Sequence, residues 1–518
     1  MSECGEDTRA KRRSAKGRTL RLALVFNPFK YKLHEENLRI VQRYFGMFPP
    51  LSLTWVAAIA REHGHDVCIV DARTLRMSQE ETLEQLKAWK PDILGFMMTT
   101  YMFRETLDWA QFLKKHLRVP VLIGGYNLRV YPEASVSVDG VDFGCFNSAF
   151  HTVPRLFEEL EGQRRFADVP GLVYRDNGKV KMTEYGPDPS FEDYPNPARD
   201  LLPNELYAEF PTERKNFTVM VTSKGCPMGC LFCEAGRTAY NPRSPEKVGQ
   251  EIQECYDKYH IREIDMFDYE FCINRRRVID ICDQILDRRL DVKWACRARI
   301  DSIDEEMARK MKMAGCSRIY FGIESGDQAT LDRVNKGITV QQIHDTIDLV
   351  KGLGIRALGF FLVGSPGETA ADIKRNVKFA KSLDLDYVQF SKVTAKPLTP
   401  LWRDLVKESG TDYWREYILG NVEEAPLPRP WTELSNEEID RLAKKAYVSY
   451  HCRLGFLLKH TLQVKSFAEF KRKFLALLDM VFKQERRSER DDDFVAYSEV
   501  RQGKLGWYKK IAKWSQPF

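Results

Sequence analysis

Short apolar runs alternate with helical patterns over residues 20–165. Five runs are bounded by turn residues, and the segments between them repeat their apolar positions at helical spacing. The runs are Leu20–Phe26, Val67–Asp71, Asp92–Met98, Pro120–Gly124 and Val141–Gly144. Buried strands joined by helical crossovers form parallel sheets, so the pattern predicts an α/β domain with a doubly wound sheet.

Residues 166–212 have a different character. The segment 171–184 reads as a β-hairpin around Asn177-Gly178, a dipeptide that favours tight hairpin turns. Six prolines follow between positions 187 and 211, and proline is excluded from the interior of regular elements. We therefore expect a hairpin and a proline-rich linker at a domain boundary.

A second α/β repeat occupies residues 213–400. Its six candidate strands are Phe217–Thr222, Glu263–Phe267, Val292–Cys296, Arg318–Ile323, Ala357–Val363 and Asp386–Phe390. Capping boxes at Ser302–Glu305 and Thr339–Gln342 predict the starts of two of the intervening helices. Six β/α units in a row predict a barrel or part-barrel, with its chemistry at the C-terminal ends of the strands.

The two ends of the chain are basic. The total charge of +6 divides into +4 for residues 1–21 and +10 for residues 441–518, which leaves −8 for the body. We expect residues 1–19 to be a disordered leader and residues 401–518 to be a helical, basic C-terminal region. An anionic partner or a membrane surface fits such a region, but so does an ordinary helical cap with solvated lysines.

Twelve cysteines in 518 residues are too few for a disulfide scaffold, and no apolar signal-peptide core is present. These features indicate the reducing cytoplasm, with thiols that are free or metal-bound. The longest uncharged stretch, 44–60, is too short to span a bilayer, and peripheral membrane contact stays open. A mildly acidic body gives no reason to expect nucleic acid as a partner.

One loop carries the strongest chemical signal. Cys226, Cys230 and Cys233 form a C-x3-C-x2-C run directly after a predicted strand. Three thiolates on one loop can hold three irons of a 4Fe–4S cluster and leave the fourth iron open to a ligand. Structural zinc is the alternative, but it normally takes four ligands, and no nearby Cys or His completes the set.

Residues 217–400 resemble the radical S-adenosylmethionine (SAM) superfamily, in this loop and in further motifs. These are Phe232 before the third cysteine, Arg299-Ile-Asp-Ser-Ile-Asp304, Met311-Lys-Met-Ala-Gly-Cys316, Tyr320-Phe-Gly-Ile-Glu-Ser-Gly326, Asn335-Lys-Gly337 and Gly364-Ser-Pro-Gly-Glu-Thr369. The resemblance implies a partial (β/α)6 barrel, a 4Fe–4S cluster, and SAM cleavage to a 5′-deoxyadenosyl radical. It also implies a one-electron reductant such as flavodoxin or ferredoxin.

The same resemblance suggests residues that bind SAM. Phe232 lies beside the cluster, and Glu324 takes the place of the polar residue that contacts the ribose. Lys336 matches a basic residue that contacts the SAM carboxylate. Asp268, with Glu270, follows the second strand, where relatives bind the amino group, although the family's usual Gly-Gly-Glu is absent here.

The first domain resembles the flavodoxin-like, cobalamin-binding domain of one radical SAM class. The similar stretches are Phe48-Pro-Pro-Leu-Ser-Leu53, Ala57–Val67, Asp71 and Val121-Leu-Ile-Gly-Gly125. The resemblance implies cobalamin at the strand ends marked by Thr99, Thr100, Gly124 and Gly125, although glycines there also serve simple tight turns. No Asp-x-His-x-x-Gly motif occurs, which implies a cobalt without a histidine ligand.

The segment Ala446–Arg453 resembles the branch that holds anaerobic magnesium-protoporphyrin ester cyclases and hopanoid methylases. We therefore expect a cobalamin-dependent C-methyltransferase that acts on an unactivated carbon of a large apolar substrate. A radical SAM oxidoreductase, cyclase or lipid-coupling enzyme without methyl transfer is the first alternative. A non-catalytic cobalamin or redox sensor is a remote one, because a sensor has no need of an open iron.

The remaining cysteines have no ligand spacing. Cys272, Cys282, Cys296 and Cys316 fall in separate predicted elements, so we expect buried thiols and no second cluster.

Overall fold

The structure is a computed structural model, and it describes residues 19–29, 46–209, 212–214, 216–423 and 426–462. The predicted basic leader, apart from residue 19, and the C-terminal region from residue 463 lie outside the described residues.

Within the described residues, most strands belong to two large sheets that match the two α/β repeats, and the other four form two-stranded sheets. The strands are β1 (Arg21–Phe26), β2 (Gly46–Met47), β3 (Asp66–Asp71), β4 (Ile93–Met97), β5 (Val121–Gly124), β6 (Phe143–Cys145), β7 (Leu172–Asp176), β8 (Lys179–Met182), β9 (Ala208–Glu209), β10 (Phe217–Met220), β11 (Ser223–Lys224), β12 (Asn241–Pro242), β13 (Glu263–Met266), β14 (Lys293–Ala298), β15 (Cys316–Glu324), β16 (Arg356–Val363) and β17 (Tyr387–Lys392).

The α-helices of the same residues fall between the strands and after them. They are α1 (Leu51–Glu62), α2 (Gln79–Trp89), α3 (Phe103–Leu117), α4 (Tyr126–Val130), α5 (Pro132–Ser137), α6 (Ala149–Glu161), α7 (Pro245–Lys258), α8 (Arg275–Asp287), α9 (Glu305–Met313), α10 (Gln328–Arg333), α11 (Val340–Gly352), α12 (Ala370–Ser382), α13 (Pro400–Ser409), α14 (Tyr413–Leu419), α15 (Asn436–His451) and α16 (Leu454–Leu462).

The first sheet is doubly wound, as predicted. Its order is β3-β1-β4-β5-β6-β7-β8, and the first five strands are parallel. α1 and α6 pack together on one face, and α2 and α3 pack together on the other. The strand order reverses between β1 and β4, and sheets of this kind bind ligands at that point, beyond the carboxyl ends of the strands.

The predicted hairpin, β7 and β8, extends this sheet and is not part of the linker. β7 pairs antiparallel with β6, and β8 pairs with β7. The hairpin thereby covers the edge of β6, whose backbone N–H and C=O groups would otherwise be open to another chain. The local sequence predicts the hairpin, but the strand with which the hairpin pairs is not a local feature.

The second sheet has six parallel strands in sequential order, β10-β13-β14-β15-β16-β17. Helices pack against its outer face and bury an apolar layer between strands and helices. This arrangement is the expected partial (β/α)6 barrel. Of the two predicted capping boxes, Thr339–Gln342 is present at α11, whereas α9 is capped by Asp304 because Ser302 belongs to a preceding 3-10 turn.

Buried charges fill the interior of the barrel. Arg318 pairs with Glu263 on β13 and with Glu209 on β9, and Tyr320 donates a hydrogen bond of 2.7 Å to Glu209. β9, at the end of the linker, also pairs with β2. The linker thereby joins the first domain to the interior of the barrel. Burial and the negative charge of Asp265 raise the pKa of Glu209 to about 7.

The chain returns to the first domain after β17. Trp414, Tyr417 and Ile418 of α14 are buried in the apolar core on one face of the first sheet. Tyr131 donates a hydrogen bond of 2.9 Å to Asp412, which fixes the start of this helix. α15 then packs against β17 and α12. Among the described residues, no helix is both long enough and apolar enough to cross a bilayer.

Candidate active site at the domain interface

The cysteine loop is closed by backbone contacts at its base. Gly225 has φ +78°, and a Cβ there would lie 1.9 Å from the Ala239 carbonyl oxygen, so only glycine fits. Thr238 accepts a hydrogen bond of 2.9 Å from the Cys226 amide and returns one of 3.0 Å to its carbonyl. The loop is thereby pinned at the position of its first thiol.

The three thiols have the surroundings of cluster ligands. Cys226 and Cys230 are buried, Cys233 is partly exposed, and all three are free. Burial raises the pKa of the Cys226 and Cys233 thiols. For Cys226, the positive charge of Arg299 offsets part of this rise. The Arg299 guanidinium also lies 4.0 Å from the Cys230 sulfur.

In the part of the chain described, no three His, Cys, Asp or Glu side chains converge on a single metal ion. A cubane cluster does not require such convergence, because each of its thiolates binds a separate iron. A loop of three free thiols with an adjacent cation therefore fits a 4Fe–4S cluster, whose thiolates need positive charge nearby.

Glu324 and Lys336, predicted as separate SAM contacts, form one ion pair. The Lys336 ammonium lies 2.8 Å from Glu324 Oε1, and both side chains are less than 10% exposed. Glu324 has φ +66° at a bulge where the pairing of β15 with β16 shifts register. A Cβ on Gly322 would lie 2.6 Å from Glu324 Oε1, so this glycine leaves the room for the pair.

The pair is joined to the cysteine loop through Arg299. The Arg299 guanidinium donates a hydrogen bond of 2.6 Å to the Lys336 carbonyl and two hydrogen bonds to the Asp301 carboxylate. Lys336 keeps two further N–H donors, and Glu324 keeps a second carboxylate oxygen. The unit can therefore still bind a ligand that has both hydroxyl and carboxylate groups. Arg299 belongs to one of the motifs found in the sequence, but no role was predicted for it.

Asp268, a predicted SAM contact, accepts hydrogen bonds from the chain that enters the cysteine loop. Its carboxylate accepts hydrogen bonds of 2.6 Å from the Thr222 amide, the Thr222 hydroxyl and the Ser223 hydroxyl. It thus holds the chain that enters the cysteine loop, because these acceptor positions are already used. Glu270 lies on the cluster side, accepts from the Arg299 and Cys272 amides, and burial raises its pKa to about 7.

Phe232 is partly buried against Leu362 and Val393, at the ends of β16 and β17. This contact places the loop beside the mouth of the barrel, next to the predicted cofactor.

The strand ends of the first domain show two kinds of glycine. Gly125 has φ +108°, and a Cβ there would lie 2.6 Å from the Met98 carbonyl oxygen, so the fold itself requires glycine. A Cβ on Gly124 would meet nothing closer than Cys145 Cβ at 4.0 Å. The space above Gly124 is therefore open for a ligand.

Unpaired polar atoms mark the same edge of the sheet. Asn27, Thr100 and Asn127 follow β1, β4 and β5, and all three residues are at most 1% exposed. Asn27 Oδ1, Thr100 Oγ1 and Asn127 Oδ1 have no hydrogen-bond partner in the described chain. Buried polar atoms are normally paired, so this edge fits a polar ligand such as the amide-rich corrin of cobalamin. Thr99, also predicted here, is partly exposed and precedes the turn that carries Thr100.

The end of β5 lies close to the cysteine loop. Tyr126, directly after Gly125, donates a hydrogen bond of 3.2 Å to the Pro397 carbonyl beyond β17. Burial raises the pKa of the Tyr126 hydroxyl, and the negative charges of Glu234 and Cys233 raise it further. Tyr269 lies near the same two residues. The strand ends of the first sheet and the cysteine loop thus border one cleft between the domains, which no local sequence signal reveals.

Four further cysteines, predicted to be buried thiols in separate elements, lie close together. Cys296 lies within hydrogen-bonding reach of the Cys272 and Cys316 thiols, and Cys282 is close to both of these. All four are buried on the helix-covered side of the barrel, away from the cleft. Burial raises the pKa of each thiol of this group for which a shift is resolved, which keeps these groups protonated.

Comparison with known proteins agrees with this architecture. Residues 220–380 match the Radical SAM superfamily, and residues 39–157 match the B12 binding domain. An uncharacterized methyltransferase of Pyrococcus horikoshii is 33% identical over 79% of this chain and 89% of its own length. The anaerobic magnesium-protoporphyrin IX monomethyl ester cyclase of Rubrivivax gelatinosus is 28% identical over 70% of this chain and 67% of its own length.

A solved structure shares the fold. The radical SAM methyltransferase TsrM of Kitasatospora setae, with cobalamin and a [4Fe–4S] cluster bound, superposes with a TM-score of 0.61 at 19% identity. The match covers 76% of this chain and 78% of TsrM. The two matched domains, their order along the chain and the 33% identity with a full-length relative together show that this chain belongs to the class of radical SAM enzymes that carry a B12-binding domain.

Proposed function

We propose that this protein is a cobalamin-dependent radical SAM C-methyltransferase that acts on an unactivated carbon of a large apolar substrate. The observation that carries the proposal is the contact of the first domain with the barrel beside the cysteine loop, where Tyr126 donates a hydrogen bond to the Pro397 carbonyl and lies near Cys233 and Glu234. Methyl transfer needs both cofactors at one substrate, and a single cleft between the two domains meets that need.

Each group of residues has a distinct part in the proposal. Cys226, Cys230 and Cys233 hold the 4Fe–4S cluster, and the Glu324–Lys336 pair with Phe232 orients SAM beside it. Thr99, Thr100, Gly124 and their neighbours on the sheet edge hold cobalamin. When bound, the cluster and SAM supply the radical that removes hydrogen from the substrate, and cobalamin supplies the methyl group.

Exposed aromatic side chains at the barrel mouth support an apolar substrate. Phe267 is 37% exposed and Tyr269 is 56% exposed, although both directly follow a buried strand. Phe267 stacks on the Arg297 guanidinium at 3.6 Å and contacts Phe48 from the first domain at 5.6 Å. Exposed apolar surface inside a cleft is typical of a binding site for an apolar molecule.

Radical SAM enzymes need a one-electron reductant, and for this chain we propose flavodoxin or ferredoxin in the cytoplasm. A peripheral membrane contact through the basic C-terminal region belongs to the same proposal, since an apolar substrate would reach the cleft from a lipid phase.

A labelling experiment tests the reaction type. Anaerobically reconstituted protein is incubated with a reductant, cobalamin, SAM labelled in its methyl group, and an extract that contains candidate substrates. We expect an extracted product that carries the label, together with 5′-deoxyadenosine. Formation of 5′-deoxyadenosine with an oxidised, unlabelled product would instead favour the cyclase or oxidoreductase, which the 28% identity with the Rubrivivax cyclase keeps as the second candidate.

A further inference from the structure

Lys224 lies two residues before the first cluster cysteine, in an aromatic cage. Its ammonium lies 3.8 Å from the ring centre of Tyr194, 4.3 Å from that of Phe191 and 5.7 Å from that of Trp55. Trp55 belongs to α1 of the first domain, and the other two rings belong to the proline-rich linker. The cage thus brings three separate parts of the chain around one cation.

This cation has no anionic partner. Within the described residues, the Lys224 ammonium makes neither a hydrogen bond nor an ion pair. The nearby Arg243 adds positive charge and is itself paired with Glu251. The indole N–H of Trp55, in the wall of the cage, also lacks an acceptor in the described chain. Two donors without an acceptor indicate a place for an acceptor that is not part of the chain.

The cage surrounds the Lys224 ammonium with three rings, and none of them supplies a negative charge. Aromatic faces attract a cation, but they do not replace the hydration and counter-charge that a buried ammonium loses. An incoming anion would supply that counter-charge.

The cage lies near the proposed cobalamin site. Ser52, in the first turn of α1, donates a hydrogen bond to the sulfur of Met97, and Met97 pairs in register with Gly124. On the other side, the Tyr194 hydroxyl lies 2.6 Å from that of Ser148, just beyond the end of β6. Tyr194 of the cage and α1, the helix that carries Trp55, therefore contact the ends of β6 and β4, on either side of Gly124.

From this geometry we propose that Lys224 binds the anionic phosphodiester in the nucleotide tail of the corrinoid. The inference rests on the proposed cobalamin site and adds to it an anion contact supplied by the cysteine loop of the barrel. Lys224 would then link occupancy of the first domain to the loop that carries Cys226. A phosphate or carboxylate of the substrate has the same anion chemistry, and the experiment separates the two sources.

The test compares two corrinoids on full-length protein. Hydroxocobalamin has the phosphodiester, whereas cobinamide lacks the nucleotide tail. We expect Lys224→Met to weaken hydroxocobalamin binding about ten- to a hundredfold, the loss typical of one charge-assisted contact, and to leave cobinamide binding unchanged. Lys224→Arg should keep most of the preference for hydroxocobalamin. Dissociation constants come from spectral titration under anaerobic conditions.

Stability and matched controls separate this role from a structural one. Because methionine keeps an unbranched side chain of similar length among the rings, Lys224→Met should unfold at about the same temperature as the wild type when no corrinoid is present. Lys374→Met, an exposed lysine of α12, should change neither affinity.

The proposal is overturned if Lys224→Met binds hydroxocobalamin as tightly as the wild type, which is also the result expected for a substrate anion. Equal losses for both corrinoids would overturn it too. If the wild type binds neither corrinoid, the cobalamin part of the proposed function fails first.

Discussion

Glu324 has a left-handed backbone, which is rare for a residue with a Cβ and costs about 1–3 kcal/mol. The surrounding structure maintains it through the bulge between β15 and β16 and through the ion pair with Lys336. Its location at the end of a barrel strand, beside the cysteine loop, indicates that the strain positions the carboxylate for a ligand. Two predictions at the scale of single residues follow from this part of the site.

The first concerns the ion pair. Glu324→Gln should weaken SAM binding about ten- to a hundredfold, because one charge-assisted hydrogen bond is lost and Lys336 is left without its counter-charge. Binding is measured by equilibrium dialysis on reconstituted protein. Iron content should stay at the wild-type level, since Glu324 does not belong to the cysteine loop. Unchanged SAM affinity would place the SAM site elsewhere in the barrel.

The second concerns the cluster ligands. Replacement of Cys226, Cys230 and Cys233 by alanine together should reduce the iron of reconstituted protein from about four per chain to background. Cys452→Ala, a partly exposed cysteine of the C-terminal region, serves as the matched control and should keep its iron. Full iron content in the triple variant would contradict the assignment.

A third prediction at this scale concerns pH. Burial raises the pKa of Glu368 to about 7, while its carboxylate accepts hydrogen bonds from the Gly364 and Ser365 amides. Because the folded state holds this proton more tightly than the unfolded chain, the group stabilises the fold at low pH and loses that contribution as the pH rises from 4.5 to 7.

Glu368→Gln keeps an acceptor but cannot titrate, so its unfolding free energy should fall less than that of the wild type over this range. The difference should reach up to about 3 kcal/mol, measured by urea unfolding at several pH values. Parallel profiles for the two proteins would show that Glu368 has an ordinary pKa.

At the scale of elements, the two glycines at the end of β5 have different reasons to be glycine. The backbone requires Gly125, whereas Gly124 leaves space for a ligand. Gly125→Ala should destabilise the first domain by about 1–3 kcal/mol, because its backbone has φ +108° and its Cβ would meet the Met98 carbonyl. Gly124→Leu should leave the unfolding midpoint unchanged and prevent cobalamin retention on gel filtration. A Gly124→Leu variant that retains cobalamin would show that the corrin lies elsewhere.

Local patterns were sufficient for most elements. Strands such as Leu20–Phe26 and the capping box at Thr339 depend on neighbouring residues, so the sequence predicted them close to the observed bounds. The N-cap of α9 was predicted at Ser302 instead of Asp304, because serine and aspartate are equally favoured at that position. The pairing of β7 with β6 depends on an open sheet edge, which no local window contains.

The site divides in the same way. The spacing of the three cysteines is a local signal, and the structure places all three on one pinned loop. The ion pair of Glu324 with Lys336 and the use of Asp268 by Thr222 arise only when distant segments meet. Tyr126 and Arg299 were missed as site residues for that reason, since Tyr126 contacts Pro397, 271 residues later, and Arg299 contacts Cys230, 69 residues earlier.

At the scale of the whole molecule, α14 attaches the end of the barrel to the first domain. Trp414 is 1% exposed, packs on Tyr101 and donates a hydrogen bond to the Ala395 carbonyl. Trp414→Ala should therefore lower the free energy of unfolding by about 3–5 kcal/mol, measured by chemical denaturation. It should also weaken cobalamin retention, because α14 is one of the elements that hold the first domain against the rest of the chain. A loss of stability without any change in retention would show that α14 does not hold the cleft closed.

The same attachment has a consequence for biosynthesis. Arg104 binds the carbonyl of Tyr417, which lies 313 residues later in the chain, so one face of the first domain is complete only after the ribosome has made the whole barrel. Until then, the apolar surface that later covers Trp414 and Ile418 is open to water and to other chains. Such late, long-range closure slows folding and favours aggregation. Chaperone dependence and low soluble yield at fast expression rates are therefore expected of this protein, and slow synthesis at low temperature should relieve both.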